Sequence, residues 1–91
     1  MNEIEQLIKS GKATIIDVRN LADFLLGNAK GSINIPFNEL PSRLEEIKKM
    51  QPILVCCTSG NKSGQAALFL KQEGIECENA GSWMKINEFL R

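Results

Sequence analysis

The sequence predicts a three-layer α/β/α domain with a small, mostly parallel central sheet. Short apolar segments bounded by turn residues alternate with segments whose apolar residues recur at helical spacing. The predicted strands, ILVCC above all, are nearly continuous in apolar character, which is typical of parallel strands covered on both faces. The 91 residues, of which 43 % are hydrophobic, suit one domain over residues 1–91.

The first half of the chain contains three predicted helices and two predicted strands. NEIEQLIKSG forms a helix that Gly11 ends, and ATIIDV forms a buried strand. Asn20 can cap the short helix LADFLL, because Asp23 stands three positions on, in capping-box spacing. SINIP is the second strand. In the next helix, NELPSRLEEIKKM, we expect Ser42 and Glu45 to form a second capping box.

The second half of the chain begins with the most apolar predicted strand, PILVCC. A helix follows from about Asn61 to Glu73, and Gly74 is placed as the residue that terminates it. IECEN is a weaker strand candidate, since it is polar at alternate positions. SWMKINEFLR closes the chain as a helix, in which Trp83 is expected to belong to the core or to a pocket wall.

The charge balance argues against nucleic acid and membrane partners. Eleven basic and eleven acidic side chains cancel, and no basic stripe is present. No apolar run approaches the ~20 residues that a membrane span needs. The first residues, MNEIEQLIKS, lack the basic and apolar segments of a signal peptide, so a cytoplasmic protein is expected.

The absence of histidine narrows the possible chemistry. Neither a Ser-His-Asp nor a Cys-His arrangement can form. The three cysteines, Cys56, Cys57 and Cys77, suit neither a disulfide framework nor a zinc site, and we expect no metal and no cofactor. A catalytic cysteine in this chain must therefore be activated without an imidazole.

Cys57 stands where the third strand ends and a helix is about to begin, which is where ligands bind in parallel sheets. The loop TSGNKS is small and polar, and Gly60 permits backbone angles that let amides surround an anion. A helix N-terminus and a nearby lysine, here Lys62, both lower a thiol pKa. Most single cysteines are packing residues, and we assign that role to Cys56 and Cys77, but the position of Cys57 favours a reactive thiol.

Other loop chemistries fail on spacing. A Walker A loop needs G-x4-G-K-S/T, whereas Asn61, and not a glycine, precedes Lys62. A cysteine phosphatase of the C-x5-R kind needs an arginine six residues after the thiol. That position holds Ser63, or Lys62 when it is counted from the preceding cysteine. A thioredoxin-type site needs C-x-x-C, which is absent.

Five short segments follow one another in a recognisable order. They are IDVR at 16–19, DF at 23–24 with the glycine at 27, SINIP at 32–36, CTSGNKSG at 57–64, and NAGSW at 79–83. At these segments the chain resembles the single-domain rhodanese-like sulfurtransferases, and the match covers nearly the whole chain. The fourth segment is similar to the family's Cys-Arg-Ser-Gly-Asn-Arg-Ser-Gly loop. The expected fold is therefore the rhodanese-like α/β domain.

The resemblance implies a cysteine that accepts a sulfane sulfur as a persulfide and passes it to a thiophilic acceptor. By position, Cys57 is the nucleophile, while Asp17 and Arg19 are structural and fix loops near the site. The implied anion cradle is lined by Thr58, Ser59, Gly60, Asn61, Lys62 and Ser63. The donor would be a small sulfur-containing anion such as thiosulfate, or the persulfide of a partner protein. The acceptor would be a protein or a small thiol.

Two positions depart from the family's loop. Thr58 and Lys62 each replace a frequent arginine, so the cradle has one cation fewer and no guanidinium. A second interpretation therefore stays open: a non-catalytic rhodanese-like module that binds a partner or carries sulfur. A third, a cysteine-based phosphatase or arsenate reductase, is opposed by the missing arginine.

Overall fold

The computed structural model describes residues 2–91, and Met1, the first residue of the predicted domain, lies outside them. The α-helices are α1 (Glu3–Ser10), α2 (Leu21–Leu26), α3 (Leu44–Lys48), α4 (Asn61–Gln72) and α5 (Trp83–Phe89). The strands are β1 (Thr14–Asp17), β2 (Ile33–Asn34), β3 (Ile53–Cys57) and β4 (Cys77–Ser82). A 3-10 helix, Phe37–Arg43, precedes α3. None of the helices within residues 2–91 is long and apolar enough to cross a membrane.

The strands form one parallel sheet in the order β2-β1-β3-β4. This arrangement confirms the predicted α/β class. β3 lies between two neighbours and is buried along its whole length. Its register with β4 shifts between Val55 and Cys56, so that Cys56 and Cys57 pair with Gly81 and Ser82. Because all strands are parallel, their carboxyl ends meet at one edge of the sheet.

Side chains alternate between two packed faces of the sheet, which confirms the three predicted layers. On one face, Val55 and Cys57 pack against residues of the 3-10 helix, α3 and α4. On the other face, Leu54 and Cys56 pack against α1 and α5 through Ile8 and Ile86. Each fully buried aliphatic side chain of this kind stabilises the fold by about 1.5–3 kcal/mol.

The ends of two helices agree with the sequence. The Asn20 side chain accepts a hydrogen bond of 2.9 Å from the amide of Asp23, which confirms the predicted cap of α2. After α4, Gly74 takes a left-handed φ of +79°, a conformation that ends helices and that side chains rarely adopt. The prediction that Gly74 terminates α4 is therefore confirmed.

The predicted capping box of Ser42 and Glu45 is wrong. The chain here forms a 3-10 helix that contains Pro41, and Ser42 donates its hydroxyl to the carbonyl oxygen of Glu39 at 2.9 Å. Proline has no amide to donate, so a regular α-helix through this stretch is disfavoured. As a result α3 begins only at Leu44, and no side-chain hydrogen bond caps it.

The fourth strand also lies further along the chain than predicted. The sequence indicates IECEN, whereas β4 spans Cys77–Ser82. β4 is polar because it pairs on only one side, and its extension to Ser82 follows from the register shift opposite Val55 and Cys56. No periodicity in the sequence marks that shift.

Candidate active site

The candidate site is built where β3 passes into α4. Cys57 ends β3 and Asn61 begins α4, so only three residues connect the strand to the helix. Gly60, directly before the helix, has a φ of +97°, a backbone conformation that would be strained for any residue with a side chain. This turn lets the first amides of α4 face back toward the end of the strand.

The sulfur of Cys57 lies inside a set of hydrogen-bond donors. The amide of Gly60 donates to Sγ at 3.0 Å, and the amide of Ser63 donates at 3.5 Å. The hydroxyl oxygen of Ser63 lies 3.2 Å from the same sulfur. Cys57 is 3 % exposed and Ser63 is fully buried, so these contacts are shielded from water.

Two opposing effects act on the pKa of Cys57. Burial is the larger single effect and raises the pKa, because the thiolate loses hydration. Hydrogen bonds from the Ser63 hydroxyl and from the amides of Ser63, Gly60 and Ser59 together outweigh burial. The pKa of Cys57 is therefore lowered from its ordinary value, which favours the thiolate.

The sequence suggests two sources for this lowered pKa, the amides before and at the start of the helix, and Lys62. The amides of Ser59, Gly60 and Ser63 do lower the pKa of Cys57, together with the Ser63 hydroxyl, whereas Lys62 is not among the causes. Lys62 is exposed at the surface, where water screens its charge. Its position is instead at the cavity that opens beside the sulfur.

That cavity has a volume of about 180 Å³. It is lined by Arg19, Cys57, Thr58, Ser59, Asn61 and Lys62. Drug-sized ligands occupy pockets of about 300–1,000 Å³, so this cavity suits a much smaller molecule. Of the predicted cradle residues, four line the cavity, while Gly60 and Ser63 contact the sulfur itself.

Asp17 and Arg19 form a buried ion pair beside the cavity. Nε of Arg19 lies 3.0 Å and 3.1 Å from the two carboxylate oxygens of Asp17, and Nη2 donates to Oδ2 at 2.7 Å. The pKa of Arg19 is raised, mainly because of its hydrogen bond to Asp17. Asp17 is fully buried, and its hydrogen bonds with Arg19 offset the cost of removing its carboxylate from water.

Arg19 ties three further parts of the site together. Nη2 also donates to the carbonyl oxygen of Gly27 at 2.6 Å, and the guanidinium stacks over the Trp83 ring at 5.0 Å. Gly27 lies so close to Trp83 that an added Cβ would stand 2.8 Å from the ring. These contacts agree with the structural role predicted for Asp17 and Arg19. That Arg19 also lines the cavity is a feature that the sequence pattern did not indicate.

The other two cysteines are packed away from the cavity. Cys56 is fully buried on the opposite face of the sheet. Cys77 is 4 % exposed, and its thiol donates to the carbonyl oxygen of Ala67 at 3.4 Å. The pKa values of both thiols are raised, mainly because burial removes water from the charged form. Among residues 2–91, no group of three or more potential metal-ligating side chains is arranged to hold a metal ion.

Asn79 on β4 contacts the site, a role that the segment NAGSW does not indicate in the sequence. Its Oδ1 accepts the hydroxyl proton of Ser63 at 2.7 Å, and its Nδ2 donates to the carbonyl oxygen of Gly60 at 3.1 Å. The contact arises because β4 pairs with the carboxyl end of β3 past the register shift. An asparagine in a polar strand carries no sequence signal for such a role.

The arrangement of strand end, glycine turn and buried thiol has a counterpart among known families. A family model for the rhodanese-like domain matches residues 1–88. The chain belongs to the rhodanese-like family. It is also similar to the protein YqhL of Bacillus subtilis (strain 168), with 38 % identity over 63 residues. That match covers 69 % of this chain and 50 % of YqhL, so the rhodanese-like chain spans about half the length of this curated relative.

Solved rhodanese-like structures share the fold. Reduced CoADR-RHD of Bacillus anthracis superposes with a TM-score of 0.79 at 34 % identity, over 97 % of this chain but 16 % of the other. The human single-domain sulfurtransferase TSTD1 gives a TM-score of 0.79 at 25 % identity, over 94 % and 90 % of the two chains. A rhodanese with anions from E. coli gives a TM-score of 0.68 at 33 % identity, over 79 % of this chain and 88 % of the other.

Proposed function

We propose that this rhodanese-like chain is a sulfurtransferase that carries sulfane sulfur on Cys57. One observation supports this above all. The Cys57 sulfur is surrounded by the Gly60 and Ser63 donors, has a lowered pKa, and stands at a cavity of about 180 Å³ that suits a small ligand or the end of a side chain. A thiolate that forms in this way can attack sulfur without a general base, which suits a chain with no histidine.

The proposed reaction has two displacements at sulfur. The Cys57 thiolate attacks the outer sulfur of thiosulfate, a new S–S bond forms, and the old S–S bond breaks with its electron pair leaving on sulfite. The outer sulfur of the resulting Cys57 persulfide then receives a second nucleophile, cyanide or a thiolate. The bond to Cys57 breaks, and its electron pair restores the Cys57 thiolate. No external oxidant or reductant is consumed.

The loop is proposed to bind the sulfur-containing anion during both steps. Thr58, Ser59, Asn61 and Lys62 line the cavity beside the sulfur. Amides at the N-terminus of α4 attract negative charge, and Lys62 adds a cation at the cavity wall. Two neighbours support this assignment: TSTD1 is described as a sulfurtransferase, and the E. coli rhodanese was solved with anions.

The charge of the cavity favours one class of donor. Of the two cations that line it, Arg19 is already paired with Asp17, which leaves Lys62 to balance a bound anion. A persulfide group carries one negative charge, and a small donor such as cysteine persulfide has a net charge of one negative at neutral pH, whereas thiosulfate carries two. We therefore propose that a persulfide, from a small thiol or a partner protein, is the better donor and that thiosulfate is a poor one.

A non-catalytic module that binds or presents sulfur is the second candidate. The same shortage of cations supports it, as does the similarity to a domain that forms only 16 % of CoADR-RHD. In this case Cys57 would hold sulfur for a partner without turnover of its own. A cytoplasmic location and one domain over residues 1–91 remain predictions for either candidate.

Intact mass after incubation with a sulfur donor tests the proposal. Wild type should gain one sulfur atom that a reductant removes, and Cys57→Ser should gain none. Cys77→Ser is the matched control and should behave as wild type, because that thiol is buried away from the cavity. Both thiosulfate and cysteine persulfide are used, since the proposal favours the second. A stable sulfur adduct on Cys57→Ser, or no adduct on wild type with either donor, contradicts the assignment of Cys57.

Turnover separates the two candidates. The proposed enzyme should form thiocyanate from a persulfide donor and cyanide at roughly 1 per second or faster, which is the low end for enzymes. A module that only carries sulfur should take up one sulfur atom and form product far more slowly. Cys57→Ser defines the background rate in both cases.

A further inference from the structure

Asn79 holds a fixed orientation beside the active cysteine. Its Nδ2 donates to the carbonyl oxygen of Gly60 at 3.1 Å, and its Oδ1 accepts from the amide of Gly81 at 2.9 Å. A flipped carboxamide would set its NH2 group against the Gly81 amide and its oxygen against the Gly60 carbonyl. Both contacts would be repulsive, so the oxygen of Asn79 is the atom that faces Ser63.

This orientation decides where the hydroxyl proton of Ser63 points. The carboxamide oxygen of Asn79 can only accept, and it lies 2.7 Å from the Ser63 oxygen. A serine hydroxyl has one proton, which is therefore donated to Asn79. The 3.2 Å contact between Ser63 and the Cys57 sulfur must then be made by the S–H group of Cys57, which donates to a lone pair of Ser63.

Ionisation of Cys57 reverses this preference. A thiolate has no proton to donate, and a lone pair of the Ser63 oxygen turned toward it would be repelled. If the hydroxyl of Ser63 rotates, its proton forms a charge-assisted hydrogen bond to the sulfur, which is stronger than a neutral one. We propose that Asn79 is a positioning residue that holds the Ser63 proton away from a neutral Cys57 and releases it when the sulfur becomes an anion.

The release leaves Asn79 adequately bonded. Its Oδ1 keeps the hydrogen bond from the Gly81 amide, and Asn79 is exposed, so water can replace the proton of Ser63. Ser63 is fully buried and has no such replacement. The Ser63 proton is thus shared between two acceptors, Asn79 and the Cys57 sulfur, and Asn79 opposes formation of the thiolate.

This inference deepens the proposed function, because the thiolate concerned is the proposed nucleophile. Its test does not depend on sulfur transfer. The rate at which iodoacetamide alkylates Cys57 is measured across pH in wild type and variants, which gives the pKa of the thiol directly. If sulfur transfer fails in every assay, the alkylation experiment still decides the role of Asn79.

A double-mutant cycle isolates the contact between Asn79 and Ser63. Ser63→Ala should raise the pKa of Cys57, because the thiolate loses a donor. Asn79→Ala should lower it by about half a unit to one unit, since a typical hydrogen bond no longer competes for the proton. In the Ser63→Ala background, Asn79→Ala should leave the pKa unchanged.

A second variant separates this mechanism from a loosened loop, because Asn79 also holds Gly60. Asn79→Asp keeps an acceptor for Ser63 and loses the bond to the Gly60 carbonyl. Its negative charge raises the pKa of Cys57 by itself, so the test is that the rise is larger with Ser63 present than in the Ser63→Ala background. Equal shifts from Asn79→Ala with and without Ser63 would overturn the inference, as would equal rises from Asn79→Asp in the two backgrounds. Either result would assign the effect to the loop backbone.

Discussion

Cys56 and Cys57 are neighbours in the chain, yet their side chains lie on opposite faces of the sheet. Cys57 packs in the cluster that includes α4, and Cys56 packs in the cluster that includes α1 and α5. Burial, with a smaller contribution from Asp17, raises the pKa of Cys56 to about 12. Cys56 therefore cannot reach a persulfide on Cys57 while the strand is intact, and it is unsuited to resolve one.

The reactivity of the two thiols should differ accordingly. Iodoacetamide should alkylate Cys57 in the native protein. The rate should reach half of its maximum at a pH below the ordinary thiol pKa of about 8.5, because the pKa of Cys57 is lowered. Cys56 and Cys77 should react only after denaturation. Peptide mass mapping across pH checks this, and native labelling of Cys56 at a rate similar to Cys57 would contradict the packing.

The buried thiol of Cys56 should make the protein less stable in alkali. Its native pKa of about 12 lies above the unfolded value of about 8.5. At any pH below about 8.5 the buried neutral thiol therefore makes its full contribution to the free energy of unfolding. That stability is lost as pH rises between the two values, because the unfolded thiol ionises first. The wild type should lose about 1–2 kcal/mol more than Cys56→Val between about pH 7.5 and about pH 10.

Urea unfolding of both proteins at each pH measures this difference. The comparison with Cys56→Val cancels the titration of lysines and of the other two thiols, since both proteins share them. An equal loss of stability in the two proteins would show that Cys56 ionises without unfolding.

The fold was predictable because its signals are local, whereas parts of the site were not. The continuous apolar run ILVCC marks β3. The glycine that follows it marks the turn into α4, and the two together place Cys57 at the end of the strand. The contact of Asn79 with Ser63 depends on the pairing of β4 with the end of β3, which no local pattern marks. Around Pro41, the helical spacing of the apolar residues concealed a 3-10 helix. The sequence suggested both the loop amides and Lys62 as causes of the lowered pKa, and only the amides act, because a sequence shows a charge but not its distance from the sulfur.

The ion pair of Asp17 and Arg19 should be important for stability. Asp17→Ala leaves Arg19 with 8 % exposure and without its carboxylate, which typically costs about 3–5 kcal/mol. Urea unfolding measures the loss. The control is Glu46→Ala, which removes an exposed partner of Arg43 and should change stability far less. Similar losses in both variants would contradict the structural role of the buried pair.

Gly60 should affect both stability and the thiol. Gly60→Ala forces an alanine into a φ of +97°, which costs roughly 1–2 kcal/mol, and it should raise the pKa of Cys57 by moving the amide that donates at 3.0 Å. Gly74→Ala is the matched control, because its φ of +79° brings similar strain at the other end of α4. Gly74→Ala should lose similar stability and keep the pKa of Cys57, as unfolding and alkylation experiments can show.

A cation added at the cavity should improve thiosulfate as a donor. Thr58 is exposed and lines the cavity, so Thr58→Arg can place a guanidinium where the second charge of thiosulfate is unbalanced. One charge-assisted hydrogen bond in the transition state should raise kcat/KM for thiosulfate about 5- to 10-fold.

Gln72→Arg, at the far end of α4, adds the same charge away from the cavity and should change kcat/KM little. The gain with a singly charged persulfide donor should be smaller. If both arginine variants raised kcat/KM equally, net charge rather than the cavity would control the use of thiosulfate.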